Sequence, residues 1–160
     1  MMIGGRLSLS LFRVKGKNIR RELKLDHVNI YLDIDGVLLT KEKLPANYVS
    51  EFLTYLVNNH SVYWLTTHCK GDSTTPIIYL SQYFDKKSLD LAKQIKPTSW
   101  RTAKTEAIDF NHQFRWFDDY LFDFEKRELM RHDLLENWIR VDLDENPDQL
   151  LLFFSQIHKE

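Results

Sequence analysis

From His27 onward the chain alternates short apolar runs with longer amphipathic ones. Val28-Asn29-Ile30-Tyr31-Leu32 is brief, rich in β-branched and aromatic residues, and stops at the polar turn Asp33-Ile34-Asp35-Gly36, which predicts a buried strand. Pro45 to Asn59 carries Val49, Phe52, Leu53, Leu56 and Val57 at helical spacing, with Pro45 placed to open the helix. Ser61 to Thr66 predicts a second strand, residues 72–95 one or two helices, and Thr102 to Phe110 a further helix. Phe114 to Phe117 predicts a third strand that ends in Asp118-Asp119. Glu125 to Asn137 predicts a helix, Trp138 to Leu143 a fourth strand, and Asp148 to His158 a closing helix. Before His27, Leu7, Leu9 and Leu11 alternate with Ser8 and Ser10, as in a short strand, and residues 15–18 can turn it.

Strands that alternate with helices imply parallel β-α-β units with both faces of the sheet covered. The expectation is an α/β fold, a three-layer α/β/α sandwich on a mainly parallel, Rossmann-like sheet. A length of 160 residues fits one such domain, residues 26–160, preceded by a separate segment, residues 1–25. That segment holds seven basic residues against Glu22, a net +6, while the whole chain has a net charge of −1. It reads as a basic extension or hairpin, and a basic arm of this kind can hold nucleic acid.

Composition removes several classes. Hydrophobic residues at 43% and charged residues at 28% argue against disorder. The five glycines, Gly4, Gly5, Gly16, Gly36 and Gly71, form neither a dinucleotide loop nor a phosphate loop. One cysteine, Cys69, excludes an internal disulfide and a cysteine-based zinc site. It reads as structural, since no activating partner is apparent in sequence. No apolar run is long enough to span a bilayer, and no secretory leader pattern is present, so a cytoplasmic location is expected. Leu150 to Phe154 is apolar on every side of a helix, which suits complete burial or contact with a second copy.

In parallel sheets ligands sit at the carboxyl ends of the strands. Three of the four predicted strands finish in Asp or Thr pairs: Asp33/Asp35, Thr66/Thr67 and Asp118/Asp119. Four carboxylates converging there repel one another and require a cation, and hard oxygen donors in that number suit Mg²⁺. A carboxylate beside such an ion can attack phosphorus, and a second acid can protonate the leaving group and then activate water. Each residue alone has an ordinary explanation. Asp33 and Asp35 can form a turn, Asp118-Asp119 can cap a helix, and Lys104 can be a solvated helix residue.

The ordered series Asp33-Ile34-Asp35-Gly36-Val37, Trp64-Leu65-Thr66, Lys104 and Trp116-Phe117-Asp118-Asp119 resembles the haloacid dehalogenase-like hydrolase superfamily, in particular its small capless bacterial members. The late segment Ile139-Arg140-Val141-Asp142 extends the likeness. The resemblance implies Asp33 as nucleophile and Mg²⁺ ligand. It implies Asp35 as general acid/base, ligating the metal through its backbone carbonyl. Gly36 would turn the chain into a flap over residues 37–44. Thr66 would hold the phosphoryl group, with Thr67 the alternative one position on. His68, next along the chain, reads as a loop residue at the rim that can touch substrate or leaving group. Lys104 would neutralise charge between nucleophile and phosphoryl group, with Lys70, Lys93 and Lys96 as rivals. Asp118 and Asp119 would complete the metal site. Neither gap between these motifs can hold a separate cap domain. The implied activity is Mg²⁺-dependent hydrolysis of a phosphate ester, on a small molecule or a macromolecule, through an aspartyl phosphate. The alternatives are a nucleic-acid end-processing phosphatase gripping its substrate with residues 1–25, and a non-catalytic binding module.

Overall fold

The computed structural model describes residues 27–157, with side chains in the closing helix as far as Phe153. The predicted Leu7–Leu11 strand and the basic arm lie outside the described residues. The elements run β1 (Asn29–Leu32), α1 (Val49–Asn59), β2 (Ser61–Trp64), α2 (Thr74–Ser81), α3 (Lys86–Ala92), β3 (Phe114–Asp118), α4 (Asp123–Arg131), β4 (Trp138–Arg140) and α5 (Gln149–Ile157). Two short 3-10 turns, Lys104–Ala107 and Leu135–Asn137, precede β3 and β4. The protein is α/β, with four strands in the order β2-β1-β3-β4, all parallel.

Alternate residues of each strand enter two separate cores. Ile30 and Leu32 of β1, Val62 and Trp64 of β2 and Phe117 of β3 join Phe52, Leu53 and Leu56 of α1 and Leu150 and Phe153 of α5. Tyr31, Phe114 and Trp116 join Leu129 of α4 and Ile108 instead. Burial on both faces explains why these strands read as unbroken apolar runs. Edge-on ring contacts of Phe117 with Phe52 at 5.5 Å and with Phe153 at 4.8 Å tie α1 and α5 to β3.

Several predicted boundaries need correction. The helix expected over Thr102–Phe110 is only the turn Lys104–Ala107. The Glu106 carboxylate accepts from the backbone N–H of Arg101, Thr102 and Ala103, which bends the chain, and Ile108 is already extended. Its apolar residues anchor a loop in the second core rather than forming a helical stripe. The helix expected over Glu125–Asn137 stops at Arg131, because Asp133 takes a left-handed backbone (φ 58°). The helix expected from Pro45 starts at Val49, since Pro45 bridges Leu39 and Tyr48 sits at φ 63°. The region 72–95 divides into two helices, with Asp85 capping α3 through the Ser88 N–H at 2.8 Å. The fourth strand is shorter than expected and ends at Arg140. The apolar run in α5 is not buried throughout: Leu150 and Phe153 face the core, while Leu151 and Leu152 are exposed. Among the described residues no helix is long and apolar enough to cross a membrane.

Candidate functional site

Strand register builds the site. Leu32 of β1 lies opposite Trp64 on one side and Phe117 on the other. The next residues, Asp33, Leu65 and Asp118, therefore emerge together at the carboxyl edge. The chain leaves β1 for β2 on one side and later returns to β3 on the other, so this edge is also the point where the strand order reverses. Backbone bonds extend the ladder past the strands, from Asp33 N–H to Phe117 O at 3.1 Å and from Leu65 N–H to Leu32 O at 2.7 Å.

Four predicted residues meet there. Carboxylate oxygens of Asp33, Asp118 and Asp119 lie within 4.8 Å of one another. The Lys104 ammonium stands 2.6 Å from Asp118 Oδ2 and 3.5 Å from Asp33 Oδ2. Asp33, Asp118 and Lys104 are buried, and Asp119 is at the rim. Gly36 packs directly on Asp119: at φ 81°, a Cβ there would come within 2.6 Å of Asp119 Oδ2. The rivals to Lys104 are elsewhere. Lys70 is exposed, Lys93 pairs with Asp90, and Lys96 lies over the Tyr63 ring.

Two further residues support the site. Glu125, buried at the start of α4, accepts from the backbone N–H of Lys104 at 2.9 Å and of Phe122 at 3.3 Å, which fixes the turn that carries Lys104. Trp116 is core, as its place on a strand predicts, but its Nε1 also donates to Asp118 Oδ2 at 3.1 Å. Nothing in the sequence distinguishes Glu125 from its acidic neighbours. Only its place in the first turn of a helix hints at capping.

The electrostatics are strained. Burial, then the nearby Asp33 charge, pushes the Asp118 carboxyl up to about 6 against the pull of Lys104. Burial and Asp118 push Asp119 up to about 6. Burial raises Asp33 as well. Lys104 loses some basicity to burial, but Asp33 and Asp118 outweigh this and hold it above the usual lysine range. Three carboxylates against one ammonium leave a formal charge of −2, with Asp119 on the exposed side of the cluster.

Asp35 does not join this cluster, which corrects the picture of four converging carboxylates. Its Oδ1 accepts from Lys43 Nζ and Tyr79 Oη, each at 2.7 Å, and its Oδ2 lies 2.8 Å from His68 Nε2. Burial raises Asp35, but the bonds to Lys43, His68 and Tyr79 outweigh it and hold its carboxyl below the usual range. His68 stacks face to face on Tyr79 with ring centroids 3.9 Å apart, so it belongs to this group rather than standing free at the rim. Lys43 and Tyr79 belong to no motif, and the sequence does not single them out. Of the two threonines, Thr66 is buried, with Oγ1 accepting from the His68 N–H at 3.3 Å, and Thr67 is exposed. Cys69 is buried, with Sγ 3.4 Å from the carbonyls of Asp72 and Thr98, as a structural residue would be. A cleft of about 660 Å³ opens beside Asp35, Gly36 and Asp119, between Lys41 and Lys43 on one side and Arg140 to Glu145 on the other.

Comparison of the chain with protein-family models, with curated proteins and with solved structures returns no match.

The donor set at the strand ends suits a small hard cation. It offers only carboxylate oxygens, from two adjacent strand ends, and its formal charge of −2 equals what one divalent ion neutralises. Asp33, Asp118 and Asp119 would hold such an ion.

Proposed function

We propose that this protein is a Mg²⁺-dependent phosphohydrolase of the haloacid dehalogenase-like kind, built as a three-layer α/β/α sandwich and acting through an aspartyl phosphate. One observation carries the reading: Asp33, Asp118 and Asp119 share one small volume with the Lys104 ammonium, at the edge where the strand order reverses.

An Asp33 oxygen attacks phosphorus. The ester P–O bond breaks, its electron pair stays on the leaving oxygen, and Asp35 supplies the proton that oxygen needs. In the second half, Asp35 takes a proton from water, the water oxygen attacks phosphorus, and the Asp33–phosphorus bond breaks to release inorganic phosphate. Lys104 lies between Asp33 and Asp118, so it screens their repulsion and can meet phosphoryl oxygens as charge builds. Bound Mg²⁺ would supply further charge neutralisation for the acids and the phosphoryl group. Glu125 and Trp116 do not touch the substrate in this scheme; they hold Lys104 and Asp118 in place.

The test is hydrolysis of 4-nitrophenyl phosphate with and without Mg²⁺, run on the wild type and on Asp33→Asn. The expected result is Mg²⁺-dependent turnover that vanishes in the variant while its circular dichroism is unchanged. A wild type that shows no Mg²⁺-dependent turnover across a panel of phosphate esters, or a fully active Asp33→Asn, overturns the reading.

A further inference from the structure

In the phosphohydrolase reading Asp35 supplies the proton, and the role of Lys43 argued from its contacts rests on that reading. Three of the roughly four acceptor positions of a carboxylate are filled at Asp35, by Lys43, Tyr79 and His68. Held in this way, Asp35 gives a leaving oxygen little room to reach its carboxylate. One partner must let go.

The three partners differ in how easily they can. His68 and Tyr79 are stacked within 15° of parallel, and Tyr79 also meets Tyr83 edge-on at 5.4 Å, so moving either breaks aromatic contacts. Lys43 is tied by its ammonium alone, which bonds Asp35 and lies over the Tyr79 ring at 5.7 Å. Its side chain is 42% exposed, it stands on the turn of the flap at φ 63°, and its stem is long and flexible. It also lines the cleft beside Asp119.

A released ammonium needs another anion. The other two cations of the cleft already have partners, Lys41 with Asp144 and Arg140 with Asp142. We propose that Lys43 is a specificity residue that exchanges Asp35 for an anionic group on the leaving-group side of the substrate, so that the site selects phosphate esters whose alcohol half bears a carboxylate or a second phosphate. The exchange places the ester bond in the site and leaves Asp35 free to take a proton from solvent, which it then passes to the leaving oxygen. Esters with no such anion leave Lys43 on Asp35 and are turned over poorly.

Three esters with two-carbon alcohol halves test this: 2-phosphoglycolate, 2-hydroxyethyl phosphate and phosphoethanolamine, whose alcohol halves are anionic, neutral and cationic. The readout is kcat/KM with Mg²⁺, or the inhibition constant against 4-nitrophenyl phosphate for any ester not cleaved. The wild type is expected to favour the anionic ester over the neutral one by on the order of tenfold to a hundredfold, and the cationic ester last. Lys43→Met is expected to flatten this order, and Lys43→Arg to keep it. A purely structural role for Lys43 would lower all three alike. A wild type without preference, or a Lys43→Met variant that keeps the preference, overturns the proposal while leaving the phosphohydrolase reading intact. The first outcome also covers Lys43 moving to Glu145, which lines the same cleft. A wild type inert toward these esters and toward 4-nitrophenyl phosphate overturns both.

Discussion

Asp33 and Asp35 are separated by one residue, and the fold gives them opposite surroundings. Asp33 is buried among Asp118, Asp119 and Lys104, where acids outnumber cations and burial pushes its carboxyl up. Asp35 is partly exposed among Lys43, His68 and Tyr79, where donors outnumber acids and its carboxyl is pushed down. Environments that drive two carboxyls apart are a common way to assign two roles to one residue type. In the proposed mechanism a nucleophile and an acid need the reverse. The Asp33 half is short of positive charge, and the Asp35 half holds the Lys43 cation. The proposed divalent ion at the acid trio and the proposed substrate anion on Lys43 would offset both.

The sharpest way to break this contrast is to neutralise each acid separately. Asp33→Asn is expected to remove turnover on every ester, by more than about a thousandfold, because the proposed covalent bond forms on Asp33. Asp35→Asn should depend on the leaving group. The expected loss is about a hundredfold or more on phenyl phosphate and much less on 4-nitrophenyl phosphate, whose leaving oxygen needs little protonation. Equal losses on the two esters from Asp35→Asn would remove its role as acid.

The next effect is on stability. Lys104→Met removes the only ammonium bonded to the buried pair Asp33 and Asp118 among the described residues, and breaking a buried pair from one side costs about 3 kcal/mol. Urea unfolding should show that loss in metal-free buffer. Millimolar Mg²⁺ should recover part of it, since the ion neutralises the same oxygens. Lys43→Met should cost far less, because Lys43 and Asp35 are both about 40% exposed and water screens the pair.

Legibility in the sequence follows the same division. The strands, their polar ends and the helices packed on them are readable because burial on both faces writes itself as apolar runs, as in Ile30-Tyr31-Leu32 and Trp116-Phe117. Asp33, Lys104, Asp118 and Asp119 are readable because each lies at a strand end or at a turn. The surroundings of Asp35 are not. Lys43 comes from a flap, His68 from a loop and Tyr79 from within α2, and no periodicity relates them. The false helix over Thr102–Phe110 has a physical cause too: three backbone N–H groups bond the Glu106 carboxylate instead of entering a helix.

A pH series sharpens the contrast without mutation. Asp118 and Asp119 sit at about 6 in the fold, against about 3.9 for an aspartate in an unfolded chain. A raised carboxyl stabilises the fold below the unfolded value, and that contribution is lost as pH rises through the folded value. The metal-free protein should therefore melt lower at about pH 7.5 than at about pH 5. The depressed Asp35 works the other way: its contribution is present above the unfolded value and is lost as pH falls through the lower folded one. Mg²⁺ should raise the melting temperature more at the higher pH, because protons compete for its ligands at the lower one. An Mg²⁺ increment that is equal at both values would place the ion away from these two acids.

Gly36→Ala reaches one half of the site through the backbone. The new Cβ would lie 2.6 Å from Asp119 Oδ2 at a backbone φ of 81°, so the Asp119 side chain must move. The left-handed backbone alone costs about 1–2 kcal/mol. Mg²⁺ titration followed by thermal shift should show weaker binding, because one of the three carboxylates is displaced.

The smallest expected effect comes from Tyr79→Phe. This change keeps the ring that stacks on His68 and deletes one of the two donors to Asp35 Oδ1. Stability should fall by no more than about 1 kcal/mol, as for a single hydrogen bond in a partly exposed site. Its value lies in direction. With one donor gone, Lys43 alone holds Oδ1, and Asp35 should take a proton more readily. If the Asp35 half is limited by donors that hold the carboxylate, turnover of esters with neutral alcohol halves should rise slightly in Tyr79→Phe. A fall on those esters would mean that Tyr79 aims the acid instead of restraining it, and the contrast between the two aspartates would then be one of orientation, not of charge.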